Sequence, residues 1–390
     1  MSLSLVEPRC RDVGCEFADR ALLAEVGAQL FGSLQRGGQR RKAERYVRGL
    51  LSSTGRKTLR NIATHFEGGA AQQSVHHFIS ESPWEWMPVR HALARYTHRR
   101  LDPEAWVVRP TVIPKGGAHS IGVDAHYLPH LRQSVNGQQA VGAWMASHHH
   151  AVPVDWRLRL TGRWLSGPLR ERAGIPAHIG GDTLEEVLCS GVSAMVAAAG
   201  ELRRPVVVDA ESVDAVALAG HLARAGLPYV VRVGPQQQLR LDRGELPRYG
   251  AGERTAGELV TSLTRLRRRT HTAGGPATVV AIPVVAPHAA PHPRAMTLIG
   301  QWPHRAPERQ DLWLTGGGAL SLSRALRLAR LSDVVARDFA AVSDDVGVRD
   351  FTGRSFPGWH RHTTLASVAH LVATLVPHAR GTAAQTLCPA

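Results

Sequence analysis

The run Pro205-Val206-Val207-Val208-Asp209 constrains the fold of this 390-residue chain more than any other segment. Three consecutive β-branched residues favour extended backbone, and the run ends in a carboxylate. A helical pattern follows from Val213 to Ala225. It leads into a second apolar run, Tyr229-Val230-Val231-Arg232-Val233. Strand, helix and strand in that order predict an α/β domain.

Shorter β runs precede this unit. Trp106-Val107-Val108 is one, Ser120-Ile121-Gly122-Val123 a second and Ala140 to Met145 a third. The third follows Asn136-Gly137, which reads as a hairpin turn. Val154 to Leu160 alternates apolar and polar residues as a half-buried strand does, and a helix is expected from Leu184 to Ala199. Towards the N-terminus the apolar spacing is helical throughout: Ala18 to Leu34, then, after a basic break at Gln35 to Lys42, Tyr46, Leu50 and Leu51, Ile62 and Phe66, Val75 and Phe78, Val89 and Leu93. Gly68-Gly69 and Ser82-Pro83 separate these helices. Residues 235–315 differ again, with Pro, Gly and His clusters, a basic stretch from Arg265 to Arg269 and a β-like run from Ala277 to Val285. They read as an inserted segment with a small sheet of its own. Helix resumes at Leu320 and runs towards Val342, and a last amphipathic helix spans roughly His362 to Leu375. The expected organisation is a lead at 1–37, a helical segment at 38–104, a core in two parts at 105–234 and 316–390, and the β-rich insertion at 235–315 between them.

The formal charge is +15, and nearly all of the basic excess is Arg, since Lys occurs only at Lys42, Lys57 and Lys115. Such a balance favours a polyanionic partner, and Arg suits bidentate phosphate contacts better than Lys does. There is no apolar run long enough to span a membrane, and Met1 to Arg20 lacks a signal-peptide core. Four scattered cysteines, Cys10, Cys15, Cys189 and Cys388, do not make a disulfide framework. These features point to a cytoplasmic, nucleoid-associated protein. Nucleophile-elbow, phosphate-loop and dinucleotide motifs are absent, so no small-molecule cofactor is expected. His148-His149-His150 reads as a loop or strand-end run.

Near the C-terminus stand Val346-Gly347-Val348-Arg349-Asp350-Phe351-Thr352-Gly353-Arg354-Ser355 and Gly358-Trp359-His360-Arg361-His362-Thr363-Thr364-Leu365. This block resembles the closing signature of DDE transposases from bacterial insertion sequences. Further upstream, Thr111, Lys115 and Gly116, the stretch from Gln138 to Trp156, and Asp209-Ala210 are similar to the same family. The resemblance runs from about Arg41 to Leu375. It implies a ribonuclease-H-like core behind a helical N-terminal DNA-binding module, double-stranded DNA as partner, a possible homodimer, and three carboxylates holding two Mg²⁺ or Mn²⁺ ions for an in-line attack on a phosphodiester. Of those carboxylates the chain keeps one position, Asp209. The first position is occupied by Arg109, followed by Pro110, and the third by Ala336. Asp124 or Asp333 could substitute as metal ligands. Arg109, Lys115, Arg354, His360, Arg361 and His362 are the expected nucleic-acid contacts.

Three functions follow from the resemblance. A transposase-derived protein that has lost cleavage and kept DNA binding, as a regulator or architectural factor, fits the substitutions at 109 and 336 best. An active transposase with relocated carboxylates would nick DNA with Mg²⁺ or Mn²⁺. A remnant working through protein contacts would show no salt-sensitive DNA affinity.

Overall fold

A computed structural model describes residues 13–386, apart from 67, 129–132, 181–182, 200–201, 250–251, 273–274, 288–294, 305–309, 317 and 319. The thiols of Cys10 and Cys388 therefore lie outside the described residues. Helices come first: α1 (Val13–Leu30), α2 (Gly37–Ser52), α3 (Leu59–Ala63), α4 (Ala71–Ser80) and α5 (Trp86–Leu101). The basic stretch at Arg40, Arg41 and Lys42 is no break, because it lies inside the first turns of α2.

Strands β1 (Ala105–Pro114), β2 (Val123–Leu128), β3 (Gln133–Ala146) and β4 (Ala151–Leu158) follow. Three helices, α6 (Gly162–Leu165), α7 (Gly167–Ala173) and α8 (Leu184–Ala199), lead to β5 (Val206–Val208), α9 (Ala215–Arg224) and β6 (Tyr229–Arg232). Asp214 caps α9, accepting from the amides of Val216 and Ala217, which ends the β5 connection sharply and starts the crossover. β1 pairs antiparallel with β3, and β3 with β4, whereas β5 lies parallel to β1, and β6 parallel to β5. Three antiparallel strands continued by two parallel ones form the mixed α/β sheet expected of a ribonuclease-H-like core. Each Val of β5 is fully buried, because a parallel strand in the middle of such a sheet is covered on both faces.

Asn136-Gly137 is not a hairpin turn. Both residues lie within β3, between β1 and β2, with Gly137 opposite Pro114 on one side and Asp124 on the other. A Cβ at Gly137 would approach the Ile113 carbonyl oxygen to 2.6 Å, so the glycine serves close strand approach.

The β-rich segment holds β7 (Gln238–Leu241), β8 (Glu253–Thr255), α10 (Ala256–Ser262), β9 (Arg268–Thr272), β10 (Gly275–Val285), β11 (Met296–Pro303) and β12 (Asp311–Gly316). These strands do not close a sheet of their own. β12 pairs antiparallel with β6, and β11, β10, β7 and β8 follow outward, so that all twelve described strands share one sheet. The edge that β6 would have exposed is thereby covered.

Helices α11 (Leu322–Ala329) and α12 (Leu331–Asp338) run into a π-helical turn at Phe339–Ser343. The final helix, α13 (Phe356–Thr386), is longer than the sequence pattern predicts and is not amphipathic where its burial is described. Every residue from Gly358 to Val372 is buried. It packs against α1, α2, α4, α5 and β4, so the N-terminal helices wrap the C-terminal one. Among the described residues no helix is long and apolar enough to cross a membrane.

Arg90 of α5 ties these layers together. Its side chain is 3% exposed. It donates to Asp155 Oδ1 at 2.6 Å, to the Trp156 carbonyl at 2.7 Å, to Thr364 Oγ1 at 2.7 Å, and to the His360 carbonyl and Thr363 Oγ1 at 3.1 and 3.2 Å. Arg90→Met is expected to lower unfolding stability by about 3–5 kcal/mol. Urea unfolding would measure this, and Arg90→Met/Asp155→Leu should recover part of the loss, because the stranded carboxylate is then gone.

Candidate active-site cleft

The parallel pairing of β1, β5 and β6 stops level across the three strands: Val108 faces Val208, and Val208 faces Val231. The residues that follow therefore form a row. The Asp209 amide donates to the Val108 carbonyl at 2.9 Å. Its carboxylate, 12% exposed, has Oδ2 3.5 Å from Arg109 Nε and Oδ1 3.3 Å from Arg232 Nη1. Arg232 reaches onward to Asp311 at 2.8 Å and Glu211 at 3.7 Å, and its guanidinium lies 5.3 Å from the centre of the Trp313 ring. Both carboxylate oxygens of Asp209 are thus engaged by guanidinium groups.

Ala336 comes from α12. With Arg109, Thr111, Trp144, Phe339 and Arg349 it lines a cavity of about 230 Å³ beside this row. The three positions singled out in the sequence, 109, 209 and 336, are therefore neighbours in space. Asp124 and Asp333 do not join them. Asp124 lies on β2, separated from β1 by β3. There it accepts from Thr161 Oγ1 at 2.6 Å and from the Ala125 amide at 2.9 Å. The hydroxyl contact, more than the amide, holds its carboxyl below the usual range. Asp333, one turn before Ala336, opens onto a different cavity of about 190 Å³, shared with Arg232, Asp311 and Arg330.

Four of the six expected nucleic-acid contacts, Lys115, His360, Arg361 and His362, have buried side chains. Lys115 is buried and donates to the carbonyls of Arg349 and Phe351 at 2.6 and 2.8 Å. Burial, with Arg56 nearby, pushes its ammonium down to about 8. Arg361 is buried and donates to the carbonyls of Trp84 and Ile79, both at 3.0 Å. His360 stacks on Trp86 at 4.8 Å, and burial next to Arg90 holds it well below its ordinary range. His362 bridges the Tyr46 hydroxyl and the Gly347 carbonyl at 2.8 and 2.9 Å. These four side chains are buried and bonded to interior groups. Arg354 alone of the C-terminal candidates is exposed. Gly347 is required twice in the same loop: its φ is +76°, and a Cβ there would run into the Lys57 side chain.

Sequence reasoning missed Arg90, Arg232 and Arg349. Arg232 was detectable in principle, since it ends the strand that neighbours Asp209. Arg349 sat in view within the C-terminal block. Arg90 carried no local signal, because its partners lie far away in sequence. The three histidines at 148–150 form the turn between β3 and β4, where His148 Nδ1 lies 3.3 Å from Glu104.

A family model described as DDE superfamily endonuclease matches residues 29–279. The chain belongs to that family. The match takes in Arg109 and Asp209 and ends within β10, ahead of Ala336 and the C-terminal block. No curated protein gives a significant match. A DDE endonuclease centre implies divalent cations held by carboxylate oxygens. The donor set here does not fit such an ion. One carboxylate is clamped by two guanidinium groups, an alanine faces the cavity, and among the described residues no group of three or more His, Cys, Asp or Glu side chains is placed to hold a metal.

The buried histidines give this member of the family a measurable acid sensitivity. Burial pushes both His362 and His370 down to about 4, from an ordinary value of 6.5. The unfolded chain therefore takes up protons that the folded one refuses. Stability is fully present above about pH 6.5 and is lost progressively as pH falls towards 4. Urea midpoints measured across that window should fall, and a flat profile would contradict neutral interior imidazoles.

Proposed function

We propose that this chain is a transposase-derived protein that binds double-stranded DNA and no longer cuts it, serving as a regulator or architectural factor. The observation that carries this reading is the clamp on Asp209, whose two oxygens are held by Arg109 and Arg232. Two-metal hydrolysis needs free carboxylate oxygens facing the scissile phosphate. Here the first position presents a permanent cation and the third a methyl group. The frame around them is kept, with Trp144, Trp156 and Trp359 at most 2% exposed. The basic charge of the chain, +15, supplies the attraction for a polyanion.

The test is a denaturing-gel cleavage assay on DNA flanking the protein's own gene, with Mg²⁺ and Mn²⁺, beside a gel shift of the same DNA. Binding without nicks is expected. Nicks that disappear in Asp209→Ala would instead mean an active transposase with a rebuilt centre. Absence of salt-sensitive binding would favour a protein-interaction remnant. Arg354→Glu should weaken DNA binding several-fold and leave folding intact, whereas Arg361→Glu should chiefly unfold the protein. Anisotropy titrations paired with thermal melts separate the two effects.

A further inference from the structure

The reading above leaves the cavity beside Ala336 without a role. Its lining carries two guanidinium groups, Arg109 from β1 and Arg349 from the loop before α13, and no carboxylate. Both side chains are partly open to solvent, at 38% and 40%. Each is anchored through Nε, Arg109 to Asp209 at 3.5 Å and Arg349 to Asp344 at 2.8 Å. Arg349 also lies 4.6 Å over the Phe339 ring, which fixes the plane of its guanidinium. The terminal nitrogens of both make no hydrogen bond among the described residues. A guanidinium held at Nε still offers its outer N–H groups, and these match the spacing of phosphate oxygens. At about 230 Å³ the cavity holds far more than one water, whose share of liquid volume is about 30 Å³. The short side chain of Ala336 keeps that space open and uncharged.

We propose that this cavity is an anion site that takes a backbone phosphate of DNA directly on Arg109 and Arg349, without a divalent ion. The inference rests on the DNA-binding reading and gives it a location. Arginine cations stand where the family's metal ions would sit, so the phosphate is still neutralised but no water is activated.

The experiment uses the full chain in EDTA. Wild type, Arg109→Gln, Arg349→Gln and Ala336→Glu are titrated with duplex DNA over a range of salt. Wild-type affinity should be the same in EDTA and in Mg²⁺. Each arginine variant should lower the slope of log K against log salt by about one. Ala336→Glu, which removes no interaction and places a carboxylate in the cavity, should weaken binding about tenfold or more, as loss of a charged hydrogen bond does. It also covers the case in which Arg349→Gln unfolds by stranding Asp344. A second arm titrates inorganic pyrophosphate by calorimetry. Pyrophosphate bound by wild type and not by Ala336→Glu supports the anion site even if duplex DNA does not bind, and only the DNA reading then fails. DNA binding that is unchanged in affinity and slope in all three variants overturns the site and leaves DNA binding intact. Binding that requires Mg²⁺ overturns it as well.

Discussion

The buried guanidinium of Arg90 is the interaction on which the architecture depends. A charged group taken out of water is tolerated only when every donor finds an acceptor. Arg90 meets that condition with groups from β4 and from the first turns of α13, while its own backbone belongs to α5. Three elements distant in sequence are thus fixed at one point. The position of α13 follows, and with it the loop that carries Arg349 and Arg354. The same logic explains why a helix rich in His, Arg, Thr and Ser can be interior. Arg361 faces two carbonyls, His362 a hydroxyl and a carbonyl, and His370 the Ala151 carbonyl and Ser343 Oγ.

The site is a consequence of sheet register. Parallel pairing of β1, β5 and β6 brings the residues just past the paired stretch of each strand to one edge, the usual place for chemistry in an α/β sheet. In this chain the edge carries Arg109, Asp209 and Arg232. Ion pairs run across it, from Arg109 to Asp209 and from Asp209 to Arg232. The strands from 235 to 316 extend the sheet beyond β6 and supply Asp311, which holds Arg232 from its far side. Residues remote from Asp209 in sequence thus help to fix its surroundings.

Several features were legible in the chain because they depend on neighbours in sequence. The apolar triplet of β5, the helical pattern of α9 and the helical spacing of α4 and α5 are local, and the structure places them close to expectation. The Asn-Gly pair misled, because the same dipeptide serves a turn or a crowded strand, and only the approach of Ile113 decides between them. The Trp-His-Arg-His block misled in a different way. Its residue types are those of a phosphate-binding surface, but the N-terminal helices cover it.

Sequence by itself determined the α/β class, the order of elements, the positive charge and the identity of the groups at 109, 209 and 336. These depend on side-chain chemistry and on contacts a few residues apart. Tertiary structure alone decided which arginines face solvent and which face carbonyls. It joined the β-rich segment to the core sheet, and it set both oxygens of Asp209 against guanidinium groups. Burial and ion pairing are set by residues that meet only when the chain closes, so no local pattern encodes them.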